Sequence, residues 1–265
     1  MPEAALRALL TSMGPVAVAV SGGVDSLTLS AIAHATLGRA ARMFHATSPA
    51  VPGEATVRVR RMAAERGWTL EVIDAGEFAD PNYRANPVNR CFFCKMNLYG
   101  TIRSRTDQLI LSGTNLDDLG EYRPGLDAAR GQGVRHPFVE ARVDKNGVRA
   151  LAAALGLGEI ADLPASPCLS SRVETGIAIE PGTLAMIHRT EQLLRRALSP
   201  RTIRCRVRKS GVVIELDQDA LARIDPAIEH GLRALVQDAI PGSGRAYAVS
   251  FAPYRNGSAF LRSQP

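Results

Sequence analysis

Val16-Ala17-Val18-Ala19-Val20, followed at once by Ser21-Gly22-Gly23-Val24-Asp25-Ser26, decides the fold. The first five residues are apolar without alternation, as a strand buried on both faces of a parallel sheet requires. The next six form a glycine-containing turn, and an Ala- and Leu-rich helix is predicted over 27–37. A strand, a tight glycine loop and a helix start in that order gather backbone N–H groups and the positive end of a helix dipole at one point. Such a point binds anions. Gly22 and Gly23 permit positive φ and close approach of a phosphate. The loop has neither the Lys of a Walker P-loop nor the G-x-G-x-x-G spacing of a dinucleotide fold. Asp25 adds a carboxylate beside the phosphates, which suits Mg²⁺. Ser21, Gly22, Gly23, Asp25 and Ser26 are therefore the candidate phosphate-binding residues.

Outward from this loop, helices are predicted over 3–13, 54–67 and 92–105, and strands over 41–46, 69–73 and 108–112. This β-α-β-α-β order predicts a parallel sheet covered by helices. Residues 114–133 read as a Gly- and Asp-rich loop, and 145–155 as a helix. The Pro- and Ser-containing stretch 164–176 is too irregular for either element and reads as a linker. Beyond it come a helix over 181–198, a hairpin of 202–207 and 212–216 about 209–211, a mostly helical stretch 217–239, and a strand over 246–251. The expected fold class is α/β, with a larger domain over 1–175 and a smaller α+β domain over 176–265.

The 265 residues are 46% hydrophobic and 22% charged, an ordinary globular balance that excludes a disordered, collagenous or coiled-coil chain. Four Cys are too sparse for a disulfide scaffold. No apolar run approaches the roughly 18 residues of a membrane helix. The first residues read as an amphipathic helix rather than a signal peptide, so cytoplasmic residence is expected, with reduced thiols. The net charge of +6 suits nucleic acid or a small phosphorylated substrate. Arg195, Arg196, Arg201, Arg204, Arg206, Arg208 and Lys209 fall in one acid-free stretch. No aromatic residue interleaves with them, so stacking of bases there is poorly supported.

Cys91 and Cys94 form a C-x-x-C, a spacing shared by redox, zinc and iron–sulfur sites. No thioredoxin-like pattern follows it, and zinc would ordinarily want a fourth Cys or His. Cys205 alternates onto the strand face opposite Arg204 and Arg206 and reads as a packed core thiol. Cys168 lies in the irregular stretch beside Pro167, Ser170, Ser171 and Arg172, where the Arg172 charge would favour a thiolate.

Ser21-Gly22-Gly23-Val24-Asp25-Ser26 after its strand resembles the loop of the PP-loop ATP pyrophosphatase superfamily. Those enzymes split ATP between the α and β phosphates and adenylate a substrate. Further motifs narrow the resemblance. They are Ser112-Gly113-Thr114-Asn115-Leu116-Asp117-Asp118, Glu121-Tyr122-Arg123-Pro124-Gly125, Arg135-His136-Pro137 and Lys145. Pro167-Cys168-Leu169-Ser170-Ser171-Arg172, Thr202-Ile203-Arg204-Cys205-Arg206 and Arg255-Asn256-Gly257-Ser258 follow. In this order, over nearly the whole chain, they resemble the LarE family, ATP-dependent sacrificial sulfur transferases of nickel-pincer nucleotide biosynthesis.

The resemblance implies a PP-loop domain with ATP and Mg²⁺ held by Ser21, Gly22, Gly23, Asp25, Ser26, Gly113 and Thr114. It implies Asp25 and Cys168 as catalytic residues, and Arg123, Arg172, Arg204 and Arg206 as contacts to the substrate. That substrate would be pyridinium-3,5-biscarboxylic acid mononucleotide. Some members sacrifice the Cys sulfur; others hold a 4Fe–4S cluster on three thiolates, and the presence of Cys91 and Cys94 with Cys168 resembles the second kind. A separate sulfur donor and a homo-oligomer are expected partners, while nucleic acid and membrane are not. Three other readings stay open: a PP-loop tRNA thiolase with a three-Cys cluster, a Cys168-sacrificing transferase without a cluster, and a non-catalytic ATP- or metal-binding module.

Overall fold

β1 (Val16–Ala19) is buried along its whole length because the sheet is covered on both faces. The structure, a computed structural model, describes residues 2–120, 123–239 and 248–261. The chain forms two units. One comprises Met1–Asp80 and Asn89–Ser166, the other Pro81–Val88 and Pro167–Pro265.

In the first unit α1 (Pro2–Met13) precedes β1, and α2 (Val24–Leu37), β2 (Ala41–Ala46), α3 (Gly53–Arg66) and β3 (Thr69–Ile73) follow it. The chain then gives α4 (Pro81–Arg84) to the second unit and returns with α5 (Arg90–Arg103), β4 (Leu109–Leu111), α6 (Pro124–Gly131), α7 (Pro137–Glu140), α8 (Lys145–Ala154) and α9 (Gly158–Ala161). The four strands are parallel in the order β3-β2-β1-β4, with Val18 opposite Met43 on one side and Leu111 on the other. Val16 and Val18 pack with Leu6 and Leu10 of α1, Ile32 of α2 and Leu151 of α8. Ala17 and Ala19 share the other face with Phe44, Tyr99, Ile102 and Ala129. The period of two in side-chain direction thus gives each helix layer its own half of one strand.

The order reverses at β1: β2 and β3 build outward on one side and β4 lies on the other. Parallel sheets bind ligands beyond the carboxyl ends of the strands at such a switch point. The loops that meet this condition are those after β1 and β4, which begin at Val20 and Ser112. The expected loop 114–133 contains α6, whose Ala128 and Ala129 are buried. Its Gly and Asp content conceals a short helix started by Pro124.

The second unit holds α10 (Pro181–Leu198), β5 (Ile203–Arg208), β6 (Gly211–Leu216), α11 (Gln218–Ala222), α12 (Pro226–Ala239) and β7 (Val249–Pro253). β5 and β6 form the expected antiparallel hairpin, and β7 adds parallel to β6. The expected helical stretch 217–239 is broken before Pro226, consistent with a residue that disfavours helix before it. Ala246 and Tyr247 of the expected last strand, and Glu121 and Tyr122, lie outside the described residues. No helix among the described residues is long and apolar enough to cross a membrane.

The sequence reading put the domain boundary between 175 and 176 with each domain continuous. The structure instead divides the chain between Ser166 and Pro167 and adds 81–88 to the second unit. Asn86 is the reason. It is buried, with a left-handed φ of 54°, a region Asn tolerates better than most residues. Its Nδ2 donates to the carbonyls of Glu174 and Ile177 at 2.9 and 2.8 Å, and its own carbonyl accepts from Gly176 N–H at 2.9 Å. Tyr83 Oη and Ser170 Oγ lie 2.6 Å apart. Asn86→Ala removes two hydrogen bonds to carbonyls and leaves an alanine in an unfavourable φ, and should cost about 2–4 kcal/mol in denaturant unfolding. Asn86→Gly restores the backbone freedom and should recover only part of the loss. Full recovery by Gly would assign the effect to φ alone.

Candidate active site

The glycine loop after β1 is built by short-range hydrogen bonds. Ser26 Oγ donates to the Gly23 carbonyl at 3.1 Å and accepts from Ser21 N–H at 3.1 Å. Gly22 has φ of 85°, and a Cβ there would lie 2.9 Å from the Ala55 carbonyl oxygen of α3. Conformation and space therefore both demand glycine. Arg58 of α3 donates to the Gly22 carbonyl at 2.7 Å. His45 at the end of β2 is buried between Val20 O, 2.7 Å from Nδ1, and Thr56 Oγ1, 2.9 Å from Nε2. A carbonyl only accepts, so Nδ1 carries the proton and the neutral ring accepts from Thr56. Burial holds the His45 pKa below its ordinary value. α3 thus clamps the loop from one side.

β4 closes it from the other. A Cβ on Gly113 would meet Asp25 C and Ser26 N at 2.9 Å, so only glycine lets this loop touch the first turn of α2. Thr114 Oγ1 lies 3.1 Å from Ser112 Oγ, which lies 2.8 Å from His136 Nδ1. Burial lowers the His136 pKa, against the opposing charges of Glu140 and Asp118.

Asp25 is the focus. Asn115 Nδ2 donates to its Oδ1 at 3.0 Å, and Lys145 Nζ reaches both carboxylate oxygens at 2.8 and 2.6 Å. The Lys145 backbone N–H is in turn held by Asp117 Oδ2 at 3.2 Å. The sequence reading quoted Asn115 and Lys145 within motifs but gave neither a role. A signal existed for Lys145: a cation in the first position of a helix sits at the positive end of the dipole, which needs a compensating partner. A carboxylate in the first turn of α2, already holding a cation and beside a glycine loop, fits a Mg²⁺-nucleotide. Arg123 pairs with Asp118 at 2.8 Å.

Cys91 and Cys94 stand in the first two turns of α5 and are half-buried. Cys168, exposed, precedes the 3₁₀ turn Leu169–Arg172 of the second unit. Cys205 is buried in β5, and burial raises its pKa, so it is a packed neutral thiol. All four are thiols. Among the described residues no group of three His, Cys, Asp or Glu is gathered as a metal site. In donor chemistry the accessible Cys91, Cys94 and Cys168 suit iron and sulfide, whereas Cys205 does not.

The arginine strand is not a solvated face. Arg206 pairs with Glu215 at 3.0 Å, with exposures of 4% and 3%, and donates to the carbonyls of Ser171 and Arg255. Arg208 also reaches Glu215 at 3.0 Å. Arg172 pairs with Glu191 at 2.9 Å. Of the four arginines expected at the substrate, Arg172 and Arg206 thus have buried carboxylate partners. Arg204 donates to the Ile203 carbonyl and lies 5.7 Å from the Tyr254 ring, and burial first, then the Arg172 charge, lowers its pKa.

No family model matches the chain. An uncharacterized Synechocystis protein is 37% identical over 220 residues, covering 82% of this chain and 81% of its own. A pyridinium-3,5-bisthiocarboxylic acid mononucleotide synthase of Lactiplantibacillus plantarum is 29% identical over 82% of this chain and 79% of its own. An uncharacterized Methanocaldococcus jannaschii protein is 28% identical over 77% of this chain and 78% of its own.

Proposed function

The chain belongs to the LarE family, and from that premise we propose that it is an ATP-dependent sulfur transferase that converts a carboxylate of pyridinium-3,5-biscarboxylic acid mononucleotide to a thiocarboxylate. The observation that supports the ATP chemistry is the Asp25 constellation: a glycine loop at the sheet's switch point, with Lys145 and Asn115 converging on one carboxylate. In this reading the N–H groups of residues 22–26 bind the β and γ phosphates, and Ser21, Ser26, Gly113 and Thr114 shape the loop and its mouth. Asp25 would hold Mg²⁺, which when bound would supply charge neutralisation for the leaving pyrophosphate.

A substrate carboxylate oxygen bonds to the α phosphorus as the bond to the bridging oxygen of pyrophosphate breaks. The acyl-adenylate formed has AMP as a good leaving group, where the free carboxylate has none. Sulfur then attacks the acyl carbon and AMP departs. Lys145 is placed to follow the charge from Asp25 to the phosphates. Cys91, Cys94 and Cys168 would hold a 4Fe–4S cluster, which when bound supplies an iron with an open position for inorganic sulfide. A separate sulfur donor, cytoplasmic residence and homo-oligomerisation complete the proposal.

The test is product analysis. ATP should yield AMP and pyrophosphate only when the mononucleotide is present; ADP and phosphate as main products would overturn the assignment. Steeply salt-dependent tRNA binding, the sign of a thiolase, is not expected, because no aromatic residue interleaves with the arginines of 195–209.

Arg204 is the proposed contact for the mononucleotide phosphate, with Arg123 a second contact. Arg204→Ala should raise the substrate KM about ten- to a hundred-fold, the loss of a charge-assisted hydrogen bond. ATP affinity should stay near wild type. An unchanged KM removes Arg204 from the site.

A further inference from the structure

Residues 164–168, which lead into the exposed thiol, belong to no helix or strand. Two of their carbonyls, those of Pro167 and Cys168, meet one side chain. Arg172 presents Nε and one terminal nitrogen to the two oxygens of Glu191, at 2.9 and 3.1 Å. Its other terminal nitrogen turns back along the chain and donates to the carbonyls of Pro167 and Cys168 at 2.6 and 3.1 Å, and to Ser171 Oγ at 3.1 Å. Those two carbonyls flank the Cys168 side chain. Glu191, on α10, also accepts from the backbone N–H of Cys205 on β5 at 3.0 Å. The pair is 4% and 7% exposed. A helix and a strand are thereby tied through one carboxylate and one guanidinium to both peptide units around the thiol.

We propose that Arg172, through Glu191, is a positioning residue that fixes the direction in which Cys168 projects. This rests on the reading of Cys168 as the sulfur-handling residue and replaces the expectation that Arg172 contacts substrate. Two physical arguments support it. The fork of a guanidinium has five N–H donors, and here the buried carboxylate, two carbonyls and a hydroxyl engage them, leaving little for an incoming phosphate. A buried ion pair also adds little stability over apolar residues of the same volume. Geometry at Cys168 is what this pair supplies and an apolar pair could not.

The test compares wild type, Arg172→Lys, and the double variant Arg172→Met with Glu191→Leu. Lysine keeps the charge but has no fork to span carboxylate and carbonyls. The double variant removes both charges together, an exchange that commonly preserves folding. Amide hydrogen exchange is read on the peptide covering 167–173, where Ser171 and Val173 N–H donate to the Cys168 and Ser170 carbonyls. Both variants should exchange there at least about tenfold faster, with other peptides unchanged. The kcat for thiocarboxylate should fall by about tenfold or more, while the mononucleotide KM and substrate-dependent pyrophosphate release stay within about twofold. A raised KM with wild-type exchange would overturn the proposal and return Arg172 to the substrate. Wild-type exchange in both variants overturns it whether or not the protein forms thiocarboxylate, so this arm is independent of the sulfur-transfer reading.

Discussion

Asp25→Asn loses substrate-dependent pyrophosphate release, by on the order of 10²–10³-fold or more, while the protein stays folded. The substitution is nearly isosteric, and the amide oxygen can still accept from Asn115 Nδ2 and Lys145 Nζ, which now bond at 3.0 and 2.6–2.8 Å. Packing of Gly113 on the first turn of α2 is untouched. What disappears is the negative charge. Mg²⁺ binds through one or two carboxylates and the substrate phosphates, and an amide is a poor replacement. Removing one preorganised electrostatic element from a catalytic site costs about 10²–10³ in rate, and here the Lys145 ammonium is also left without its counter-charge. The measurement is pyrophosphate release with the mononucleotide present, beside thermal unfolding. A variant that releases pyrophosphate at the wild-type rate would remove Asp25 from the chemistry.

The second large effect concerns the thiols. Anaerobically reconstituted protein should bind about four irons per chain, the content of one cubane cluster. Cys91→Ser, Cys94→Ser and Cys168→Ser should each lose the iron and the thiocarboxylate product, and pyrophosphate release should survive in all three. Cys205→Ser should keep iron and product, because a buried neutral thiol in β5 neither reaches solvent nor ionises. A sacrificial mechanism gives another pattern. Only Cys168→Ser is then inactive, iron is dispensable, and the chain becomes lighter by H₂S after one turnover. That mass loss in iron-free, active protein would overturn the cluster.

What the sequence made legible was set by how local the cause is. The strand–loop–helix form of residues 16–37 was readable because strand, glycines and Asp25 are contiguous, and because a strand buried on both faces cannot hide its composition. Positions whose role depends on a distant partner were not readable. The run from Arg195 to Lys209 contains no acid, yet the carboxylate that pairs with its Arg206 and Arg208, Glu215, lies just outside it on β6. Lys145 is 120 residues from Asp25, and nothing local links them. The helix α6 was hidden by Gly and Asp, whose propensities are overridden once Ala128 and Ala129 are buried.

The way 81–88 joins the second unit bears on how the chain is made. Glu174 follows Asn86 by 88 residues. At roughly 5–20 residues per second of synthesis, Asn86 emerges from the ribosome about 4–18 s before the carbonyls it binds. For that interval its amide is solvated, and the second unit cannot close while the sheet-forming segments around it are already available. Docking of 81–88 is thus a late event with a long loop to shut, and a chain released early at Ser166 carries the segment without its partners.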